Sequence, residues 1–144
     1  MKNLFLAVFA LVILIFGTYQ PKIFIGTKNQ AVAVVNYKEN LPLTIKFIHS
    51  VQKTPVIEEL EVKNGEFILI RTKYQSQGVG LPFDAADGNF YRDGDWFIFD
   101  MNRHFKNLEL RTGKGTQLTV KIGDKTCELY KILPIGTKII VKTF

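Results

Sequence analysis

The densest group of polar residues in the chain lies at 49–59, where the sequence reads HSVQKTPVIEE. Apolar and polar residues alternate on both sides of this group, which predicts two β-strands joined by a turn at 50–55. Side chains two residues apart share a face of a strand, so His49 and Glu58 are both expected on the apolar face. Antiparallel pairing across the turn would place them opposite or diagonal to one another, within roughly 5–8 Å.

An imidazole and a carboxylate on one apolar face are expected to pair. A carboxylate in such a place costs several kcal/mol unless it has a partner, and an imidazolium or a hydrogen-bonded neutral imidazole offsets much of that cost. Two roles for a pair of His49 and Glu58 remain open. The pair either fixes the register of the hairpin or forms the centre of a ligand-binding or catalytic site.

Two kinds of catalytic or metal site are not expected at this group. Ser50 directly follows His49, and neighbouring residues of a strand point to opposite faces, so the serine–histidine pair of a hydrolase is not predicted. The second histidine, His104, lies far along the chain, and neither histidine has the short ligand spacing of a metal site. Glu59 and Glu61 are expected on the solvated face. We therefore predict no enzyme, no bound metal and no cofactor.

A second group of residues, at 74–83, reads YQSQGVGLPF and begins where a predicted strand gives way to a loop. Gly78 and Gly80 allow a positive φ or a close approach of the backbone, and exposed amides beside them would suit a small anion. A third glycine, a following helix and a lysine are missing, so this is not a phosphate-binding motif. The alternative is a tight bend that ends at Pro82.

The remaining residues with chemical potential have simpler interpretations. Four aspartates resemble a calcium loop in composition alone, because the spacing of an EF-hand is absent, and we predict that they lie in turns. They are Asp84, Asp87, Asp93 and Asp95. Residues 96–99 are all apolar, as in a core strand. Cys127 is the single cysteine, which excludes an internal disulfide and a cysteine-based zinc site, and we expect a buried, unreactive thiol.

Short strands must position these groups. After Pro21 the sequence consists of short runs rich in Val, Ile, Phe and Thr, separated by Gly, Asn, Asp and Pro, which is typical of an all-β domain. Asn64-Gly65 and Gly123-Asp124 have the residue types of tight hairpin turns. The predicted strands cover residues 31–37, 43–49, 56–63, 66–74, 96–101, 108–111, 116–122, 126–132 and 138–143. About nine short strands predict an antiparallel β-sandwich or barrel, with a long loop at 75–95.

The amino-terminal segment has a different character. Residues 4–16 form an uninterrupted apolar run, LFLAVFALVILIF. A helix of this length covers roughly 20 Å, against roughly 30 Å for a hydrocarbon layer, but Lys2 can snorkel and extend it. The small residues of a signal-peptidase site are missing soon after the run. We predict that residues 1–20 are an uncleaved anchor that crosses the cell membrane once, and that residues 21–144 form one extracytoplasmic domain. The alternative is that the segment is cleaved and the domain is exported.

Composition limits the class of partner. Apolar residues make up 47% of the chain and charged residues 22%, which indicates a compact domain rather than a disordered chain. Lys and Arg outnumber Asp and Glu by 19 to 13, giving a net charge of +6, but the basic residues are scattered. A nucleic-acid partner is therefore not predicted.

The two residue groups together resemble a bacterial family, domain of unknown function 1850. Members of that family show a similar H-S-V, two residues, T-P-V and one or two glutamates, followed by a strand and then Y-x-S-x-G-x-G-L-P. The matching residues in this chain are His49, Ser50, Val51, Thr54, Pro55, Val56, Glu58, Glu59, Tyr74, Ser76, Gly78, Gly80, Leu81 and Pro82. Val79 departs from the alanine that usually stands between the glycines.

The resemblance implies a role beside a membrane transporter. Members look like small exported or membrane-tethered proteins and are typically encoded beside TRAP transporters of the TAXI type, which import organic acids with an extracytoplasmic binding protein. The resemblance implies no catalytic residue. It implies an accessory protein that docks to the transporter membrane subunit or the TAXI-type solute-binding protein, with the surface at His49, Glu58 and residues 74–82. The alternative is a domain that binds an organic acid or a cation in a pocket beside His49 and Glu58.

Overall fold

The computed structural model describes residues 20–78, 80–82 and 88–144. These ranges form an all-β domain with eleven strands and one short helix. The elements are β1 (Lys22–Gly26), β2 (Ala31–Asn36), β3 (Leu41–Ile48), β4 (Pro55–Lys63), β5 (Glu66–Tyr74), β6 (Asn89–Asp93), β7 (Trp96–Phe105), β8 (Asn107–Arg111), β9 (Thr119–Ile122), β10 (Lys125–Glu128), α1 (Leu129–Ile132) and β11 (Lys138–Thr143).

The strands form two antiparallel sheets that pack as a β-sandwich. One sheet has four strands in the order β2-β1-β11-β8, and the other has seven in the order β10-β9-β3-β4-β5-β7-β6. The main core joins them, because Ile25 and Ile139 of the smaller sheet pack in the same buried cluster as Leu43 and Phe67 of the larger sheet. A second, smaller cluster contains Val56, Tyr74 and Leu81. Alternate residues of the central strands face the main core, as a sheet with one solvated face requires, whereas the edge strand β6 is mostly exposed.

The prediction of an all-β antiparallel sandwich or barrel is confirmed for the fold class, and of the two forms the described residues adopt the sandwich. Several strands agree closely with the sequence pattern. The predicted strands at 66–74 and 138–143 coincide with β5 and β11. Both predicted tight turns are present. Asn64 and Gly65 have φ values of 52° and 77°, as a type I′ turn requires, and Gly123 has a φ of 52° in the two-residue turn between β9 and β10.

The number and extent of the other strands differ from the prediction. The described ranges contain eleven strands rather than nine, because β1 and β6 were not predicted. β6 lies inside the expected loop at 75–95. Its residues NFYRD are mostly exposed and are held as a strand by pairing with β7. The predicted strand at 126–132 is wrong over its second half, where the chain forms α1. The predicted strand at 116–122 begins only at Thr119, because Gln117 has a φ of 49°.

A bulge in β5 keeps its buried side chains on the core face. The pairing of β4 with β5 shifts between Glu59 and Leu60, so that Glu59 lies opposite Arg71 while Leu60 lies opposite Leu69. The extra residue, Ile70, restores the alternation. As a result Phe67, Leu69, Thr72 and Tyr74 are all buried.

The predicted membrane anchor lies almost wholly outside the described residues, which begin at Gln20. Across the ranges that are described, no helix has the length and apolar character needed to span a membrane.

Candidate functional site

An open cleft of about 450 Å³ lies between the two sheets at one end of the sandwich. Its floor is the inner face of β3 and β4, with Ile45, Phe47 and Glu58, and its opposite wall is β8. The turn between β3 and β4 and residues 80–81 close one end. Exposed residues surround the mouth, so solvent can enter the cleft.

His49 and Glu58 both line this cleft, but they do not pair as predicted. β3 ends at Ile48, and the backbone N–H of His49 donates to the carbonyl of Thr54 at 2.9 Å. Glu58 lies opposite Ile45, which is four residues before His49. At about 3.3 Å per residue this separates the two backbone positions by roughly 13 Å along the strands. The predicted pair is therefore wrong, although both residues lie on the same side of the sheet.

The error comes from the turn. Lys53 has a φ of 56° and donates its backbone N–H to the carbonyl of His49 at 3.0 Å. The chain therefore reverses before Thr54, two positions earlier than the predicted pairing required. A shift of two residues preserves the face on which each side chain lies, because the period of a strand is two. It moves Glu58 away from His49 along the same face.

The imidazole of His49 fixes this turn. Its Nδ1 accepts hydrogen bonds from the backbone N–H groups of Val51 at 3.3 Å and Gln52 at 3.1 Å. A ring nitrogen that accepts carries no proton, so the neutral ring is protonated at Nε2. His49 is 7% exposed. The residue therefore acts as an internal cap of the turn.

Gly78 brings the second residue group against His49. A Cβ atom at position 78 would lie 2.9 Å from Cε1 of His49, 3.1 Å from its Nε2 and 3.1 Å from Cγ of Gln52. Every residue larger than glycine would displace the ring or the loop. The close backbone approach that the sequence suggested at this glycine is confirmed, and it joins the two residue groups at one end of the cleft.

Gly80 is needed for a different reason. The backbone N–H of Leu81 donates to the carbonyl of Gly78 at 3.2 Å, which closes a tight turn. Gly80 is the third residue of that turn and has a φ of 87°, a conformation that favours glycine. The predicted tight bend before Pro82 is thus confirmed.

Tyr74 fastens the end of this segment. Its side chain is fully buried, stacks on Phe97 with ring centroids 5.7 Å apart, and donates its hydroxyl to the carbonyl of Pro82 at 2.6 Å. Burial raises the pKa of the Tyr74 phenol above its ordinary value, so the hydroxyl keeps the proton that it donates. Ser76 is half-buried just after β5 and is not among the described residues that line the cleft.

Glu58 is the acidic group of the floor. It is half-buried, and the apolar side chain of Ile45 and the buried Thr72 lie across from it on the neighbouring strands. Burial raises the pKa of the Glu58 carboxyl above its ordinary value, and the positive charge of Arg103 lowers it by a smaller amount. A carboxylate in this position favours a proton or an incoming cation.

The mouth contains charged residues that the sequence analysis did not identify. Glu109 and Arg111 of β8 line the cleft. Arg111 donates from Nη1 to the carbonyl of Gly136 at 3.0 Å, and Glu109 forms an ion pair with Lys138 at 2.8 Å. β8 is predicted as a strand from its sequence, but no local signal indicates that it borders the same cleft as Glu58, because the two residue sets belong to different sheets.

Glu59 does not belong to the cleft. It lies on the outer face of the larger sheet, where it forms ion pairs with Lys73 and, at 3.8 Å, with Arg71. Arg71 also bonds Asp100, which holds the pKa of that carboxyl below its ordinary value. The expected solvated face is confirmed, and this ion-pair network lies on the side of the sheet away from the cleft.

The acidic and histidine residues that the structure describes outside the cleft form no metal site. His104 contacts Glu66 at 3.1 Å on the surface. Asp93 and Asp95 lie at the β6–β7 hairpin, whereas Asp84 and Asp87 fall outside the described residues. Among the residues with described positions, no group of three or more His, Cys, Asp and Glu side chains could hold a metal ion. Cys127 is buried, and burial raises the pKa of its thiol.

Comparison with known proteins finds a match to one protein family. The sequence profile described as Domain of unknown function (DUF1850) matches residues 43–129, which is more than half of the chain. This range includes the β3–β4 turn, the segment at 74–82 and β8. Neither a curated protein nor a solved structure matches.

Replacing Gly78 with alanine tests the contact with His49. We expect Gly78→Ala to lower the free energy of unfolding by about 1–3 kcal/mol, because a methyl group would overlap the imidazole. Gly78 lacks a left-handed φ, so alanine can adopt its backbone conformation. In a His49→Ala background the same change should cost less, as urea denaturation of the four proteins would measure. An equal cost in both backgrounds would contradict the contact.

Replacing Glu58 with glutamine tests the burial of its carboxyl. Burial raises the pKa of the folded-state carboxyl above its ordinary value of 4.5, so folding favours the protonated form of Glu58. This favourable contribution to the free energy of unfolding is complete below pH 4.5 and is lost as the pH rises through the folded-state pKa. Glu58→Gln should therefore gain stability relative to the wild type between pH 4 and pH 8. Urea denaturation across this range measures the difference, with Glu61→Gln on the outer face as the control for loss of one charge. A difference that is independent of pH would contradict the shift.

Proposed function

Because the chain belongs to the family described as Domain of unknown function (DUF1850), we propose that it is an accessory protein of a TAXI-type TRAP transporter and docks to it through the cleft. The observation that carries the proposal is the contact of Gly78 with His49. The two residue groups of the family resemblance are distant in sequence, yet both contribute to one end of the cleft. A shared, tightly packed rim of this kind supports a recognition surface that is formed before the partner arrives.

The chemistry of the rim supports binding rather than catalysis. Nδ1 of His49 accepts from two backbone amides, so this nitrogen is occupied as a turn cap. Tyr74 is fully buried and its hydroxyl is committed to Pro82. Ser50 lines the cleft at this end and is exposed, as are residues 51–53 of the same turn, so these side chains are in position to contact a partner.

We also propose that the domain is held at the cell membrane. The support is the apolar run at residues 4–16, which is followed by a domain that begins within a few residues, at β1. In this arrangement the domain lies on the extracytoplasmic side, where it can meet the transporter membrane subunit or the TAXI-type solute-binding protein. Cleavage after the run would give the exported form instead.

A second candidate function is the binding of a small organic acid or cation, and the cleft itself favours it. A volume of about 450 Å³ lies within the roughly 300–1,000 Å³ of small-molecule sites. Glu58 on the floor would attract a cation, and Arg111 at the mouth would attract a carboxylate. In this role the domain would hand its ligand to, or sense it for, the transporter.

Co-purification tests the docking role. The full chain would be expressed with the transporter membrane subunit and the TAXI-type solute-binding protein, and recovered in detergent. We expect recovery of one partner with the wild type and at least a roughly tenfold loss with Ser50→Arg, because an exposed rim position gains bulk and charge. Thr126→Arg, at an exposed position of β10, is the matched control. Equal recovery with both variants would exclude the rim, and no recovery with the wild type would exclude these partners.

A thermal-shift screen tests the second candidate. The full chain would be heated with dicarboxylates, keto acids, amines and inorganic cations over a range of concentrations. A true ligand should stabilise the fold by RT ln(1 + [L]/Kd). Tm should therefore rise steadily at ligand concentrations below Kd and only logarithmically at concentrations above it. Glu58→Gln should abolish the rise for a cation, and Arg111→Gln should abolish it for an acid. A flat screen would contradict small-ligand binding.

A further inference from the structure

The outer edge of β8 forms one wall of the cleft. β8 is the last strand of the four-stranded sheet, with β11 on one side, and within the described ranges no strand pairs with its other side. The cleft is lined on this side by residues 109–111. A strand edge that borders an open cleft presents hydrogen-bonding groups to whatever enters it.

The direction of the backbone groups of β8 can be assigned from its end. The N–H of Thr112 donates to the carbonyl of Thr137 at 3.1 Å, and the carbonyl of Thr112 accepts from Gly136 at 2.9 Å, so both groups point toward the β11 side. Backbone groups alternate in direction along a strand. The N–H and C=O groups of Glu109 and Arg111 therefore point away from β11, into the cleft.

The side chains of β8 follow the complementary pattern. Leu108 is buried in the core and Leu110 packs against it, so even-numbered residues face the larger sheet. Glu109 and Arg111 are exposed, and they reach Lys138 and Gly136 on the outer surface. Inside the mouth that Glu109 and Arg111 border, the cleft has backbone groups of β8 on its wall and Glu58 on its floor.

An extended chain laid beside β8 would meet Glu58. Its alternate side chains would point to the inner face of the larger sheet, where Glu58 lies between Ile45 and Thr72. Facing sheets are about 10 Å apart, a distance that a glutamate and a long basic side chain span together. The partly desolvated carboxylate of Glu58 favours such a cation, because a charge-assisted bond offsets its burial.

We propose that the cleft binds an extended segment of the partner protein as a fifth strand on β8, with an inward-pointing lysine or arginine bonded to Glu58. This inference rests on the proposed docking function and specifies its geometry. The main chain of the segment bonds the N–H and C=O groups of Glu109 and Arg111. Its basic side chain supplies the selectivity.

Peptide libraries provide the test. Full chain in detergent would be immobilised and exposed to acetylated, amidated nonapeptides that are randomised except for a central lysine, with a matched library that has a central glutamine. We expect the lysine library to be retained roughly tenfold better, and Glu58→Gln to remove this preference. No retention of either library, or a preference that Glu58→Gln leaves unchanged, would overturn the inference. Co-purification with the transporter would still report on docking itself.

Alternate N-methylation tests the strand geometry. One lysine library would be methylated at the even-numbered amides and another at the odd-numbered amides. Because amides of a strand point alternately to its two sides, one library should lose binding and the other should keep it. Loss in both libraries, or in neither, would show that the segment does not bind as a strand.

A change in β8 gives the corresponding test on the protein. Glu109→Pro removes a single N–H that points into the cleft, and proline is tolerated on a strand edge that lacks a neighbour. We expect it to reduce retention of the lysine library several-fold. Glu109→Ala, which loses the ion pair with Lys138 and keeps the N–H, is the matched control, and the proline variant should retain less peptide than the alanine variant. Equal retention by the two variants would overturn the role of the edge.

Discussion

The imidazole of His49 holds together the two chain segments that form one end of the cleft. Its Nδ1 accepts from two backbone amides of the β3–β4 turn, and its Cε1 and Nε2 edge packs against Gly78. Neither segment has regular secondary structure at this point, so local propensity does not determine its shape. The ring accepts hydrogen bonds from two partly buried amides on one side and leaves no room for a side chain at position 78 on the other. His49 therefore joins the two segments of the rim, whose second segment is shaped further by the turn at Gly80 and by the bond from Tyr74 to Pro82.

The two faces of the larger sheet differ in how their acidic groups are compensated. On the outer face, Glu59, Arg71, Lys73 and Asp100 form a network in which each charge has an opposite neighbour. On the inner face, Glu58 stands in a largely apolar floor with its pKa raised by burial. Ion pairs at a half-exposed surface add little stability. A partly desolvated carboxylate carries a desolvation cost, and a cation that binds to it offsets part of that cost. This contrast between neighbours in sequence is the reason that the proposed docking function assigns the acidic contact to Glu58 rather than to Glu59.

The cleft exists because the two sheets are unequal in width. Seven strands cannot be covered by four, and β8 is the strand at which the cover ends. At one end of β3 and β4, Phe47 and Glu58 of the inner face are only partly buried, and they line the cleft together with the edge strand β8. A docking surface placed here offers both apolar contact and directional hydrogen bonds, and the segment at 74–82 closes one end of it.

The sequence by itself determined the all-β class, the faces of the strands and the tight turns. These features depend on neighbouring residues: the period of two in β5, and the positive φ that Asn64 and Gly65 accept at little cost. It also identified Gly78, Gly80 and Tyr74 as residues of one segment. Only the tertiary structure decided the register at His49, the recruitment of β1 and β6 as strands, and the position of β8 above Glu58. Each of these depends on contacts between residues that are distant in sequence. The local pattern of apolar and polar residues does not report such contacts, because a register shift of two residues, as at His49, leaves that pattern unchanged.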